Sequence, residues 1–342
     1  MKELNIELKT NPYKIIIENN LLDNNLKKYI KEVYKNNKIF IITDDLVAKY
    51  YLDKVINNLK DDFIVDYVII KNGEESKNID TYIDVCKKLI EKDIRRNNLL
   101  LALGGGVIGD LCGFVAATMY RGIPYIGIPT SLLSQMDSSI GGKTGIDFYG
   151  RKNILGAFKQ PLRVLIDPSC HKTLDKREFN NGMGELIKHG AIGNKHLLDL
   201  LKDKPEIDEN IILESLKVKK RVVELDEFDT GERMILNFGH TFGHIIELKY
   251  GYKHGEAVSI GMLMALKMGV DLKITKKEDY DTILNILKLY DLPTKEYNYK
   301  EFLHDTIYDK KNLAGVVNFI LIDELGHTVT YKMTEEILKE KL

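Results

Sequence analysis

Leu99–Asp110, LLLALGGGVIGD, is the stretch on which the fold turns. Leu99–Leu103 is a short, continuous apolar run, the pattern of a strand buried on both faces. Gly104, Gly105 and Gly106 follow, and residues 107–119 then read as a helix rich in small side chains. A strand passing through glycines into a helix is a building unit of an α/β sheet. Gly104, Gly106 and Gly109 satisfy G-x-G-x-x-G. Such glycines let backbone N–H groups approach a ligand, and the helix N-terminus favours an anion such as pyrophosphate. The acidic residue expected at the end of the next strand is missing, because strand 124–128 runs into Pro129-Thr130. Several strands also precede the loop. On these residues alone a dinucleotide loop and a purely structural tight turn both stand.

Working outward toward the N-terminus, the same alternation of strands and helices recurs. Residues 4–8 and 13–17 read as a strand pair, 21–36 as a helix, Lys38–Thr43 as a buried strand, 46–60 as a helix, 63–70 as a strand and 79–93 as a helix. Asp44 ends the buried strand, where a carboxylate can hold ribose or cap the next helix. Thr130 and Ser131 end a later strand, and another strand, 163–167, closes on Asp167-Pro168. All these positions lie at carboxyl ends of strands, where open α/β sheets take ligands. Between them, residues 134–153, SQMDSSIGGKTGIDFYGRKN, carry enough glycine to argue against regular structure. That stretch displays Asp137, Lys143, Lys152 and Asn153, a set suited to an anionic, hydroxylated substrate.

After about residue 175 the pattern becomes helical, over 183–201, 208–227, 232–249, 255–272 and 278–290, with a β-hairpin around Glu324-Leu325-Gly326. The chain therefore divides into an α/β domain, 1–175, with a mainly parallel Rossmann-like sheet, and a mainly helical domain, 176–342. Glu185 and Lys188 are i, i+3 neighbours on the first of these helices, and Lys219 sits on the second. In RMILNFGHTFGHIIELKYGYKHGE, 233–256, a single helix over 232–249 would put Arg233, Asn237, His240 and His244 on one polar stripe. His254 returns after a Gly- and Tyr-rich turn. Two imidazoles on one helix face and a third close by is metal-ligand spacing, which pairs His240 and His244 on the ion.

Composition bounds the rest. The 342 residues suit two domains, and 44% hydrophobic with 30% charged residues supports real cores under a soluble surface. A net charge of −1 offers no basic footprint for nucleic acid. Cys86, Cys112 and Cys170 form no C-x-x-C, which points to a reducing compartment. MKELNIELKT has no apolar signal core, and no run approaches the roughly 18 apolar residues of a membrane span. A cytoplasmic protein acting on a small molecule is the expectation, with no membrane or nucleic-acid partner.

The stretches GGGVIGDLCGFVAATMYRGI, IPTSLLSQMDSSIGGKTGID, KNILGAFKQP, GMGELIKHG, LNFGHTFGHIIE, HGEAVSIGM and DKKN, in this order and spacing, closely resemble the 3-dehydroquinate synthases. The resemblance implies a dehydroquinate synthase-like fold, NAD, and one divalent metal, zinc or cobalt, held by Glu185, His240 and His254. It moves His244 from metal ligand to proton handling. It implies NAD contacts from Asp44, Glu74, Lys77, Gly105, Gly106, Val107, Ile108, Gly109, Asp110, Thr130, Ser131, Lys143, Lys152 and the segment Cys170, His171, Lys172, Thr173. It assigns substrate contacts to Asp137, Lys143, Lys152, Asn153, Lys188, Lys219, Arg233, Asn237, His244 and one of Lys310 or Lys311. Of these, Lys143, Lys188, Lys219, Asn237 and His244 would be catalytic. Arg121 would reach the substrate phosphate of a neighbouring subunit, which implies a homodimer.

The implied reaction converts 3-deoxy-D-arabino-heptulosonate 7-phosphate to 3-dehydroquinate and phosphate, in the pathway to chorismate and the aromatic amino acids. Transient oxidation by NAD acidifies a C–H, phosphate leaves, the hydride returns and an intramolecular aldol step closes the ring. Gly184 departs from the family pattern, which more often has Ala before the metal-ligand Glu. The competing readings are another sugar phosphate cyclase, a metal-dependent NAD polyol dehydrogenase and a non-enzymatic dinucleotide-binding module.

Overall fold

A computed structural model describes residues 1–309 and 316–334. They form two compact units. The first is Met1–Asp175 together with Ile207–Leu213, and the second holds Lys176–Glu206 and the described residues from Glu214 onward. The expected boundary at 175 therefore needs one amendment. Ile207–Leu213 goes with the first unit because Glu209 accepts from the Met1 ammonium at 2.7 Å and from the Asn19 N–H at 2.9 Å.

The first unit runs β1 (Lys2–Ile6), β2 (Tyr13–Ile17), α1 (Leu21–Asn24), α2 (Leu26–Val33), β3 (Lys38–Asp44), α3 (Asp45–Leu59), β4 (Ile64–Ile70), α4 (Ile79–Glu91), β5 (Leu99–Gly104), α5 (Gly106–Thr118), β6 (Tyr125–Pro129), β7 (Lys143–Phe148), β8 (Arg151–Phe158) and β9 (Arg163–Ile166). Seven strands make one sheet in the order β1-β2-β9-β6-β5-β3-β4. Only the β1–β2 pair is antiparallel. Side chains alternate across β3 and β5. Ile39, Ile41, Leu99 and Leu101 pack on one face with Leu26, Ile30 and Val55, while Phe40, Ile42, Leu100 and Ala102 pack on the other with Val85, Leu89 and Leu111. Burial on both faces is why these strands read as unbroken apolar runs. From β3 the chain steps outward to β4 and then returns to β5 on the opposite side of β3. That reversal opens a crevice at the carboxyl ends of β3 and β5, where Asp44 and Gly104 stand.

The glycines of 134–153 do not prevent regular structure. Ser134–Ser138 forms one π turn, and β7 and β8 pair as a hairpin. Its two-residue turn, Tyr149-Gly150, has φ of 51° and 74°, the left-handed pair of a type I′ turn. Gly145 faces Gly156 across the ladder, and a Cβ on either would lie 2.8 or 2.6 Å from the opposite backbone. These glycines permit the close pairing that their composition seemed to forbid.

The second unit contains α6 (Lys176–Gly193), α7 (Lys195–Leu201), α8 (Glu209–Leu225, from Glu214 on), α9 (His240–Tyr250), α10 (His254–Asp271), α11 (Lys277–Leu289), α12 (Tyr299–Asp309) and the hairpin β10 (Val316–Glu324)–β11 (His327–Thr334). Helix α10 is buried from Gly255 to Leu266 and packs against α6, α9, α11, α12 and β10. A helix apolar on every side belongs at the centre of its unit. Among the described residues no helix is long and apolar enough to cross a membrane.

Candidate active site

In the first unit, β5 ends at Gly104, Gly105 is the N-cap of α5, and Gly106 begins the helix. Gly105 has no side chain to cap α5, so the first N–H groups of the helix are not masked by a capping oxygen. A Cβ at Gly105 would lie 3.6 Å from the Ser131 hydroxyl, and one at Gly106 would lie 3.2 Å from that of Ser138. Gly109 faces open space. Gly104, Gly105, Gly109, Pro129, Ser134 and Ser138 line a recess here. Thr130 is buried and its N–H donates to the Gly104 carbonyl at 3.0 Å, closing the floor. The side chain of Ile108 packs into the core, so only its main chain, like that of half-buried Val107, belongs to the loop.

Charged partners gather beside it. Lys77 is 5% exposed, with Nζ 3.2 Å from both Asp110 Oδ2 and Glu74 Oε1. Burial acts against its charge, but Asp110 and Glu74 more than offset this and raise its pKa. Asp44 is the N-cap of α3, its Oδ1 accepting from the Leu46 and Val47 N–H groups at 3.0 and 2.8 Å. Pro168–Thr173 forms a 3₁₀ turn. There His171 Nε2 lies 2.7 Å from Gln135 Oε1, and burial lowers the imidazole pKa to about 4, so it is neutral at physiological pH. The Cys170 thiol is buried and pushed up to about 12, and the Thr173 hydroxyl lies 2.6 Å from that of Tyr51. Lys172 is exposed.

The remaining predicted residues of this unit are spread along the hairpin and its neighbours. Lys143, Lys152 and Asn153 are exposed on β7 and β8, and Asp137 is half-buried in the π turn. Asn153 has φ of 53° and its N–H donates to Asp147 Oδ1 at 2.7 Å. Arg121 is exposed with φ of 62°, between Tyr120 at 52° and Gly122 at 129°. Two non-glycine residues in a row at positive φ is a costly backbone that fixes the direction in which Arg121 leaves the fold.

In the second unit one correction changes the site. Residues 232–249 are not a single helix. Glu232–Asn237 is a 3₁₀ turn, Phe238 leaves the helical region with ψ of 126°, and Gly239 has φ of 79° before α9 starts at His240. The break follows from close packing. A Cβ at Gly239 would lie 2.8 Å from the Met262 side chain and 3.0 Å from the Val258 carbonyl, and one at Gly261 would lie 2.0 Å from the Gly239 carbonyl. Arg233 and Asn237 thus do not continue the His240–His244 stripe. Arg233 is 4% exposed and is held by its own turn. Asp226 accepts from the N–H groups of Thr230 at 2.8 Å, Gly231 at 2.7 Å and Arg233 at 3.1 Å, and those bonds hold its carboxyl well below the usual range. Asn237 is exposed, and Lys219 is buried on α8. Lys310 and Lys311 lie outside the described residues.

Glu185, fully buried on α6, is where the cluster converges. Its Oε1 lies 3.3 Å from His240 Nε2 and 3.2 Å from His254 Nε2, and its Oε2 is paired with Lys188, itself 2% exposed. Burial acts to raise the Glu185 pKa, but Lys188 and His240 hold it well below the carboxylate range. The outer nitrogens of both rings are occupied. His240 Nδ1 lies 3.2 Å from the Phe238 carbonyl, and His254 Nδ1 lies 3.3 Å from Glu247 Oε2. Those partners only accept, so each Nδ1 carries a proton, and Nε2 is the ring nitrogen that each histidine can offer to an ion. Beside Glu185 Oε1, the positive charge is supplied by a proton on His254 Nε2 or by a cation in its place. Burial disfavours charge on His254, yet hydrogen bonds to Glu185 and Glu247 take its pKa up to about 9. Two ligands about 2.0 Å from a tetrahedral zinc lie about 3.3 Å apart, close to the separation between the carboxylate oxygen and each imidazole. The donor set fits a cation of the zinc class.

His244, one turn along α9, is exposed, with its ring centroid 5.3 Å from that of His240 and 6.3 Å from that of His254. The nitrogens of the three histidines lie within 4.8 Å of one another, so spacing correctly gathered them. Sequence reasoning missed Glu247, whose only signal is its place on the outward continuation of the His-bearing helix. It also missed Asn181, Arg177 and Glu256, which join α6 to α10.

Residues 67–181 match the family model for the N-terminal domain of 3-dehydroquinate synthase, and residues 182–312 match that for its C-terminal domain. The chain is 46% identical over 341 residues to a 3-dehydroquinate synthase of Clostridium acetobutylicum, covering 95% of each chain. It is 42% identical over 354 residues to one of Prochlorococcus marinus, covering 98% of each. Among solved structures it resembles 2-epi-5-epi-valiolone synthase of Streptomyces hygroscopicus with NAD+ and Zn2+ bound, at 25% identity and a TM-score of 0.85 over 98% of this chain and 96% of that one. A 2-deoxy-scyllo-inosose synthase complexed with carbaglucose-6-phosphate, NAD+ and Co2+ shares the fold at 23% identity and a TM-score of 0.84 over 99% and 98%.

Proposed function

The chain belongs to the 3-dehydroquinate synthase family and is an enzyme of that type, and we propose that it converts 3-deoxy-D-arabino-heptulosonate 7-phosphate to 3-dehydroquinate and phosphate with NAD and one zinc-class ion. The observation that carries this reading is the pair of imidazole Nε2 atoms 3.2 and 3.3 Å from one buried Glu185 oxygen, with Lys188 on the other. Glu185, His240 and His254 would hold the ion. The Gly105–Gly106 loop, Ser131, Thr130 and the Lys77–Asp110–Glu74 group would hold NAD, with Asp44 at the crevice edge. Bound NAD supplies a reversible hydride acceptor and bound zinc a Lewis acid, which together allow phosphate elimination and ring closure without net redox change.

The chain's own residues do the rest. Lys188 keeps Glu185 ionised and directed at the two imidazoles. Arg233, clamped through the Asp226 turn, presents a guanidinium to an anionic end of the substrate, and Lys143, Lys152 and Lys219 add positive charge for its carboxylate and phosphate. Asp137, Asn153 and Asn237 supply hydrogen bonds to hydroxyl groups. His244, exposed one turn along α9 from His240, moves the proton at the substrate hydroxyl. Arg121, directed by its left-handed backbone, reaches the phosphate held by a partner subunit in a homodimer.

Incubating the purified protein with the heptulosonate phosphate, catalytic NAD and zinc tests the assignment. Phosphate and dehydroquinate should appear in equal amounts without accumulating NADH. Stoichiometric NADH would identify a polyol dehydrogenase instead, and turnover of a hexose or heptulose phosphate in preference would identify a different cyclase.

A further inference from the structure

Helix α10 begins without a capping side chain of its own. Its N-cap is Lys253, which has no acceptor to offer. The open N–H groups of its first turn are met in two ways. Glu256 reaches back to the Lys253 N–H at 2.8 Å, and Asn181, on α6, accepts from the Gly255 N–H at 2.6 Å. His254 lies between these two anchored peptide groups. Glu256 is held in turn from α6, since Arg177 Nε and Nη2 donate to its two oxygens at 2.7 and 2.8 Å. Lys253 forms a further ion pair with Glu178. The backbones touch as well. A Cβ at Gly255 would lie 1.9 Å from the Asn181 carbonyl, and one at Gly184 would lie 2.4 Å from the Gly255 carbonyl.

Arg177, Asn181, Gly184, Glu185 and Lys188 form one stripe along α6, at i, i+4, i+7, i+8 and i+11. One helix face therefore carries the buried carboxylate and also grips the backbone that bears His254. With the Lys253 and Gly255 N–H groups held, the His254 ring retains only its two side-chain torsions, and Glu247 directs those. The exposure values fit a clamp closed at its inner end. Asn181 is 8% exposed, whereas the Arg177 side chain is 56% exposed. Neither residue is a ligand.

We propose that Asn181 and Arg177 are positioning residues for the metal centre: by capping and clamping the start of α10 from α6, they set the separation of His254 from Glu185 and so the affinity for a zinc-class cation. This rests on the ligand assignment proposed above. Groups that orient metal ligands from outside typically change affinity 10- to 100-fold when removed. The test compares zinc affinity, by competition with a chromophoric chelator, and the visible absorption of the cobalt-loaded protein. The variants are Asn181→Ala, Asn181→Asp, Arg177→Gln and His254→Ala. Asn181→Ala should weaken zinc binding by about 10- to 100-fold and shift the cobalt bands. Asn181→Asp, which keeps the accepting oxygen, should restore both. Arg177→Gln should weaken zinc binding about tenfold, and it carries the test should Asn181→Ala fail to fold, since its side chain is largely at the surface.

Thermal denaturation of the metal-free variants records any loss of stability separately. Wild-type zinc affinity and unchanged cobalt bands in both Asn181→Ala and Arg177→Gln, with zinc lost from His254→Ala, would overturn the clamp and leave the ligands standing. Unchanged affinity in His254→Ala would overturn the ligand assignment and the clamp with it.

Discussion

His244 shares a helix face with His240 four residues away, yet the two imidazoles have different surroundings. His240 is directed from behind by the Phe238 carbonyl and looks onto a buried carboxylate, while His244 is exposed. The i, i+4 spacing that made them look like a ligand pair only reports that they share a face. In the proposed assignment, which ring meets the ion depends on where Glu185 stands, and Glu185 arrives from a helix far away in the chain. Replacing His240 by Ala should therefore empty the metal site. Replacing His244 by Ala should leave one ion bound while lowering kcat by about 10²- to 10⁴-fold, the usual contribution of a positioned acid or base. Metal analysis of the two purified variants beside their kcat values checks this, and retention of metal by the His240 variant would transpose the roles. The pairing of Glu185 with Lys188 was legible only as helix-neighbour spacing. Nothing in that spacing distinguishes a solvated ion pair from one that is 0% and 2% exposed and forms the wall of the site.

The segment before α9 shows how an element can differ from its periodicity. Over 232–249 the polar and apolar pattern fits one helix, but Gly239 adopts a positive φ and lets the chain close onto α10 through Gly261. The pattern was right about which residues are polar and wrong about the direction in which they arrive. Arg233 consequently depends on its own turn, and that turn hangs on Asp226. Asp226→Ala should raise KM for the sugar phosphate about tenfold with a much smaller change in kcat, because Arg233 keeps its charge but loses its place. Steady-state kinetics measures that split, and an unaltered KM would count against it. The carboxyl is depressed below its ordinary value of 3.8, so the folded state binds fewer protons there than the unfolded chain. The contribution of the turn to stability is thus complete above that value and fades only as acid takes the pH below it. Acid unfolding of Asp226→Ala should lack this component. The β7–β8 hairpin teaches a related lesson, since glycines that weaken an isolated strand become favourable where two backbones must approach.

Across the chain, the proposed reach of Arg121 into a partner's site makes activity a property of the pair of subunits. Arg121→Ala and His240→Ala should each be nearly inactive alone. In a mixed dimer, the site with an intact His240 receives its arginine from the other subunit. Unfolding and refolding the two variants together should then restore about a quarter of wild-type activity, since half the dimers are mixed and one of two sites works in each. Failure of the mixture to exceed its components would place Arg121 in its own subunit's site or outside any site. The amino-acid sequence was enough to give the parallel α/β unit, the helical unit, the strand–glycine–helix junction at Gly104–Gly106 and the three histidines that the structure brings together. Apolar runs, helical spacing and glycine–strand junctions are local patterns, and a chain displays them in order. The sharing of Glu185 by His240 and His254, the break at Gly239, the dependence of Arg233 on Asp226 and the capping of α10 by Asn181 were not readable in this way. Each joins elements, or turns within them, through burial and backbone contact, and those relations come into being only when the helices pack.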